Sequence, residues 1–149
     1  ISTAEDLALL ATHVNNGSSM AGKTFVLTDD IDLSGYENWT PIGNSDYNNC
    51  WFTGTFDGNG HTISNLNQEA HQDPNATNNN YIGLFGVAIN ATIKNLKLDN
   101  VNIEDNDIVN YIYAGALLGI GSNITLENTE VNNLNKPCKN KQILLSEQL

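Results

Sequence analysis

The chain is expected to be an all-β protein, a right-handed parallel β-helix (solenoid) with a short N-terminal capping helix. Three observations predict this. From Lys23 onward apolar and polar residues alternate at period two, as in strands with one wet face. Three segments can be laid over one another: GTFDGNGHTISNL at 54–66, GLFGVAINATIKNL at 83–96 and GALLGIGSNITLENT at 115–129. Each opens on a glycine, sets an apolar residue two further on (Phe56, Phe85, Leu117) and reaches an apolar-x-Asn step at Asn65, Asn95 and Asn128. One such unit cannot bury its apolar face alone, so successive units must stack, at the usual strand separation of about 4.8 Å, and share a core. Chirality favours the right hand.

Residues 1–17 read as the capping helix. Ser2-Thr3-Ala4-Glu5 offers a capping box, Leu7, Leu10, Ala11 and Val14 recur at helical spacing, and Asn16-Gly17 supplies the stop. Residues 18–135 are the expected coils. Phe25, Leu27, Ile31 and Leu33 alternate with Thr28, Asp30 and Asp32; Trp39-Thr-Pro-Ile-Gly43 is an edge or corner piece because of Pro41; 44–50 is a loop. Gln68–Asn80 and Glu104–Asn110 are too polar for a core and read as surface loops. Stacking brings Asn65, Asn95 and Asn128 over one another as an amide ladder. Gly54, Gly58, Gly60, Gly83, Gly86, Gly115 and Gly119 are read as structural, Gly58 and Gly60 as corner residues with positive φ. Residues 136–149, with Pro137 and a closing apolar cluster, are expected to be a C-terminal cap or a poorly ordered tail of the same single domain.

Taken together, STAEDLALLATHVNNG, GKTFVLTDDIDLSG, WTPIG, FTGTFDGNGHTISNL, GLFG and ATIKNLKLDNVNI resemble the GLUG-motif repeat proteins of bacteria over residues 1–134. Gly83-Leu84-Phe85-Gly86 matches the motif, and Gly115–Gly119 is a looser copy. The resemblance implies a right-handed parallel β-helix in an exported surface protein of gut or other host-associated bacteria, hence an extracellular or cell-surface location.

Composition narrows the function. Net charge is -11, with six lysines and no arginine, which disfavours nucleic acid and anionic membranes as partners. No apolar run approaches membrane-spanning length, so membrane insertion is not expected. Cys50 and Cys138 could form one disulfide, although unpaired or buried thiols are the favoured reading.

Candidate chemistry is thin. Asp57-Gly-Asn-Gly-His61 suggests calcium, but Gln68 stands where the twelfth-position glutamate of such a loop belongs. His13, His61 and His71 are scattered and no zinc motif occurs, so no metal, cofactor or catalytic residue is assigned. Carboxylates cluster at Asp29, Asp30 and Asp32 and at Asp99, Glu104, Asp105 and Asp107, which keeps a polysaccharide lyase or glycosidase as the alternative. The favoured expectation is a non-catalytic exported module, adhesin-like or a structural stalk. Its expected partner is a glycan or host surface protein, met by Tyr47 and Trp51, and an open solenoid end invites end-to-end self-association.

Overall fold

The structure, a computed structural model, describes residues 1–44, 50–70, 80–105, 112–135 and 143–144. Its one helix among these residues, α1, spans Ala4–Asn15 and buries Leu7, Leu10, Ala11 and Val14, the stripe its spacing predicts. The N-cap is Thr3. Thr3 Oγ1 accepts from the Asp6 N–H at 3.1 Å, and the Asp6 carboxylate accepts from the N–H groups of Thr3 at 3.2 Å and Ser2 at 2.9 Å. The capping box therefore sits one residue beyond the expected one, because Asp6 rather than Glu5 faces back over the free N–H groups. α1 is tied to the first strands at both ends: the Thr28 N–H donates to the Ile1 carbonyl at 2.9 Å, while the Asn15 amide donates to the Pro41 carbonyl at 3.0 Å and accepts from the Gly43 N–H at 2.8 Å.

Everything else regular is β. The strands are β1 Thr24–Val26, β2 Ile31–Asp32, β3 Thr55–Asp57, β4 Thr62–Ala70, β5 Asn80–Ile82, β6 Phe85–Ile89, β7 Thr92–Asp105, β8 Ile112–Ala114, β9 Leu118–Ser122, β10 Thr125–Asn135 and β11 Ile143–Leu144. Among the described residues every strand pairing is parallel, in three sheets: one containing β1, β3, β7, β4, β2 and β10, a second of β6 and β9, and a third of β11, β8 and β5. The large sheet is built in tiers. Thr24 lies beside Thr55, Thr55 beside Thr92, and Thr92 beside Thr125, so the chain returns to the same place after 31, 37 and 33 residues. Parallel return at such intervals is compatible with an all-β solenoid.

What bends the chain is asparagine. Asn65, Asn90, Asn95, Asn100, Asn123, Asn128 and Asn133 all have φ between 49° and 61°. Asparagine tolerates this left-handed conformation better than other residues with a Cβ, because its short amide bonds locally. Each such residue resets the pleat, so that the positions one and three beyond it both turn inward. After Asn90 these are Ala91 and Ile93, after Asn95 Leu96 and Leu98, after Asn100 Val101 and Ile103, and all six are buried. A long strand with a bend every five residues thus keeps one face on the core while it curls.

The core runs through Phe52, Phe56, Phe85, Ile63, Leu66 and Ile93, none of them measurably exposed. Phe52 and Phe56 flank Phe85 with ring centroids 5.0 Å and 5.4 Å away. Glycines admit close backbone approach at two telling points. A Cβ on Gly86 would strike the Gly43 carbonyl oxygen, and one on Gly58 would strike the carbonyl of Asn95 and the backbone of Leu96. Gly58 is therefore not a positive-φ corner residue; Asn59 (φ 52°) and Gly60 (φ 80°) make that turn, and Gly58 is small because Asn95 passes directly over it.

Three sequence expectations are corrected by the register. The second and third repeat copies do neighbour each other, but Phe85 pairs with Leu118 instead of Leu117. The first copy lies beside a different part of the second: Phe56 pairs with Ile93 and Ile63 with Leu98. Finally, the polar stretches begin inside strands. Gln68 is on β4 and buried, Asn80 opens β5, and Glu104 is on β7. Of residues 136–149 the structure describes only Ile143 and Leu144, which pair with Ile112 and Tyr113.

Candidate binding surface

Six of the left-handed asparagines stand in columns on the outside of the bends, while Asn133 donates to Asp99 at 2.8 Å and Asn59 to the Leu27 carbonyl at 3.2 Å. In one column, Asn128 Nδ2 donates to Asn95 Oδ1 at 3.1 Å and Asn95 Nδ2 to Asp57 Oδ1 at 3.1 Å. In a second, Asn100 Nδ2 donates to Asn65 Oδ1 at 2.7 Å and Asn65 Nδ2 to Asp32 Oδ1 at 2.8 Å. A third joins Asn123 to Asn90 at 2.7 Å. The expected single ladder of Asn65, Asn95 and Asn128 is thus corrected: Asn95 and Asn128 share a column and Asn65 belongs to another. The Gly58–His61 turn adds residues to the first copy, and the register resumes with Thr62 beside Lys97, which places Asn65 beside Asn100.

Two of the three columns end on aspartate at the N-terminal side, and this fixes their direction. A carboxylate only accepts, so the amide above must turn its NH2 group toward it and present its oxygen to the next tier. The carboxyls of Asp57 and Asp32 are held below their ordinary value, Asp57 chiefly by the Asn59 N–H and then the Asn95 amide, Asp32 chiefly by the Asn65 amide and then the Ser34 N–H. Asp30 is lowered too, first by the Thr62 N–H and then by His61, whose Nδ1 is 3.1 Å away. Lys94 Nζ lies 4.0 Å from Asp57. Each of these carboxylates is occupied by backbone and amide donors with one cationic partner at most. Among the described residues no three His, Cys, Asp or Glu side chains are grouped to hold a metal ion.

Depressions lined by described residues include the following. An open groove of about 240 Å³ is lined by Glu37, Asn67, Gln68, Glu69, Asn102 and Glu104, with Glu69 and Glu104 in paired register. A smaller cavity, about 140 Å³, lies between α1 and Tyr36, Trp39 and Thr40. An apolar groove of about 380 Å³ runs along α1 past Leu9, Leu10, Met20 and Phe25. Trp39 is buried, its ring meeting Tyr36 edge-on at 5.5 Å and its Nε1 donating to the Leu84 carbonyl at 3.3 Å. Tyr113 stacks on Tyr81 at 5.3 Å. Of the proposed sugar-facing pair, Trp51 is half-buried and Tyr47 lies outside the described residues. Cys50 is a buried free thiol, and Cys138 lies outside the described residues.

Gln68 is the residue that sequence reasoning misplaced most. Its Nε2 donates to the carbonyls of Trp39 at 3.2 Å and Gly83 at 2.9 Å, cross-linking two connecting segments inside the core. The signal was present: Gln68 stands three residues after left-handed Asn65, the inward step that Ile93, Leu98 and Ile103 occupy after their own asparagines.

No family model matches the chain, and no solved structure does. It is similar to a protein of Evansella cellulosilytica named as a Gly-rich membrane protein, 33% identical over 127 residues, covering 78% of this chain and 14% of that one. It is also similar to halomucin of Haloquadratum walsbyi, 31% identical over 129 residues, covering 80% of this chain and 1% of halomucin. The chain therefore spans only a small part of each relative's length.

Proposed function

We propose that this chain is a non-catalytic module of a cell-surface protein: a right-handed parallel β-helix of the GLUG-motif kind, serving as a structural stalk whose outer face meets a glycan or a host surface protein. The observation that carries this reading is the commitment of its polar side chains. The column asparagines bond to one another and to Asp32 and Asp57 from tier to tier, which stiffens the module and leaves those two carboxylates poorly suited to act as general acids. A general acid needs a raised pKa, whereas Asp30, Asp32 and Asp57 are all lowered. The names of the two relatives, a membrane protein and halomucin, support a place in the cell envelope, and their far greater length supports a module within a larger assembly.

The test is a broad glycan array probed with the purified chain, with Trp51→Ala and Tyr47→Ala as companions, together with an assay for polysaccharide cleavage. Binding that either substitution abolishes, without cleavage, is expected for the adhesive version. Silence across the array leaves the stalk alone. Turnover lost on Asp57→Asn or Asp30→Asn would overturn the non-catalytic reading in favour of a lyase or glycosidase.

A further inference from the structure

The cavity between α1 and the segment that carries Tyr36 and Trp39 grades from apolar to polar. Ala11 and Trp39 in its lining are buried, Ala8, Asn15 and Tyr36 are half-buried, and Thr12 and Thr40 are exposed. α1 supplies four of these from one side, because Ala8, Ala11, Thr12 and Asn15 stand three or four residues apart or adjoin in that spacing. Methyl groups at Ala8 and Ala11 leave room that longer side chains would fill. Tyr36 is fixed by its edge-on contact with Trp39 at 5.5 Å, and Trp39 by its Nε1 bond to the Leu84 carbonyl. The volume of about 140 Å³ suits one six-membered ring, since an engineered protein cavity of about 150 Å³ takes a single benzene. Polar capacity of both kinds is left over. Asn15 spends one N–H on the Pro41 carbonyl and one lone pair on the Gly43 N–H, which fixes the amide and leaves one of each. Thr12 Oγ1 donates to the Ala8 carbonyl at 3.1 Å and keeps its acceptor sites, while the Tyr36 and Thr40 hydroxyls bond to no described residue.

We infer that this cavity is a subsite for one neutral pyranose ring, a terminal or branch sugar of the glycan in the reading above, on which the inference rests. Chemistry selects a sugar among single rings. A pyranose has an apolar C–H face that suits Tyr36 and the alanine methyls, and a hydroxyl edge that both donates to and accepts from Asn15, Thr12, Thr40 and Tyr36. A plain aromatic ring fits the volume but leaves those groups without partners. No charged side chain is in the lining, so a charged sugar gains no ion pair, and the net charge of -11 disfavours an acidic one. The Tyr36 ring and the Asn15 amide are already held in place, so little ordering is left for binding to cost.

The experiment titrates the intact chain with the methyl glycosides of glucose, galactose, mannose and N-acetylglucosamine and follows its backbone amides by NMR. With at least one of these sugars the amides of Ala11, Asn15 and Thr40 are expected to shift and saturate. Ala8→Leu fills the cavity and is expected to weaken that binding by about tenfold or more. Thr40→Val keeps the shape at an exposed position and removes one hydroxyl, so it reads the site without risk to the fold; a loss of about threefold or more is expected. Saturable shifts that neither substitution alters overturn the subsite. So does silence at these amides while the glycan array shows binding lost with Trp51→Ala, and the glycan reading then stands without it. Silence here and across the array removes both. Shifts at the same amides with p-cresol and with none of the sugars would overturn the sugar assignment and give the cavity to an aromatic side chain of a partner protein.

Discussion

β7 and β10 carry the same five-residue pattern, bend at matching asparagines and lie in continuous register from Thr92 beside Thr125 to Asn102 beside Asn135, yet they are not equivalent. β7 has β3 and β4 on one side and β10 on the other; β10 has only β7 among the described strands. Ile93 and Leu98 are sealed, while Leu126 and Val131 in the same columns are only partly buried. The lesson is that the pattern prescribes which side chains face inward, and the neighbouring tier determines how much that facing is worth.

The sharpest way to break the comparison is to truncate one column at both levels. Ile93→Ala is expected to cost about 2–5 kcal/mol, the range for deleting a fully buried aliphatic side chain. Leu126→Ala, with part of its surface already wet, is expected to cost about 1 kcal/mol. Urea unfolding of the two variants checks this, and equal costs would mean that β10 is as well covered as β7.

A smaller contrast lies in the amide column. Asn95 both donates to Asp57 and accepts from Asn128, whereas among the described residues the Asn128 amide only donates. Alanine at Asn95 loses two hydrogen bonds and places a Cβ residue without a local amide in the left-handed region, an expected loss of about 2 kcal/mol. Asn128→Ala is expected to lose about 1 kcal/mol on the same grounds. Asn95→Gly, which keeps the backbone free to bend, separates the two contributions in thermal melts: recovery of about half the loss is expected.

The smallest effect concerns the acidic feet of the columns. Asp32 and Asp57 ionise more readily folded than their ordinary value of 3.8, so the stabilisation they bring is present above about that pH and is lost as pH falls through their lower folded values. Melting temperature is expected to be level from neutrality to about pH 5 and then to decline. Asp57→Asn should make the acid limb shallower, and an unchanged limb would show that Asp57 does not anchor its column through its charge.

Much of this was legible in the residues themselves. The apolar stripe Leu7, Leu10, Ala11 and Val14 is a helix face by spacing alone, and Ile93-x-Asn95 and Leu126-x-Asn128 announce a repeated bend. Register was harder to read. Asn65 looks like the partner of Asn95 because Ile63-Ser-Asn65 and Ile93-Lys-Asn95 have the same form, and only the pairing of Leu66 with Val101 moves it to Asn100. Gln68 reads as the start of a loop because its amide is polar, while its place is decided by the reset of the pleat at Asn65 and by the two carbonyls waiting inside.

The sequence by itself determined the local alphabet: one helix, short alternating runs, asparagine at the bends and glycine where backbones crowd. These follow from φ, ψ and pleat geometry, which each residue carries with it. The tertiary structure alone decided which bend sits over which, that Gly58 is small because Asn95 passes above it, and that two of the columns start on aspartate. Those depend on contacts between residues more than thirty positions apart, where an inserted turn of a few residues shifts every partner beyond it.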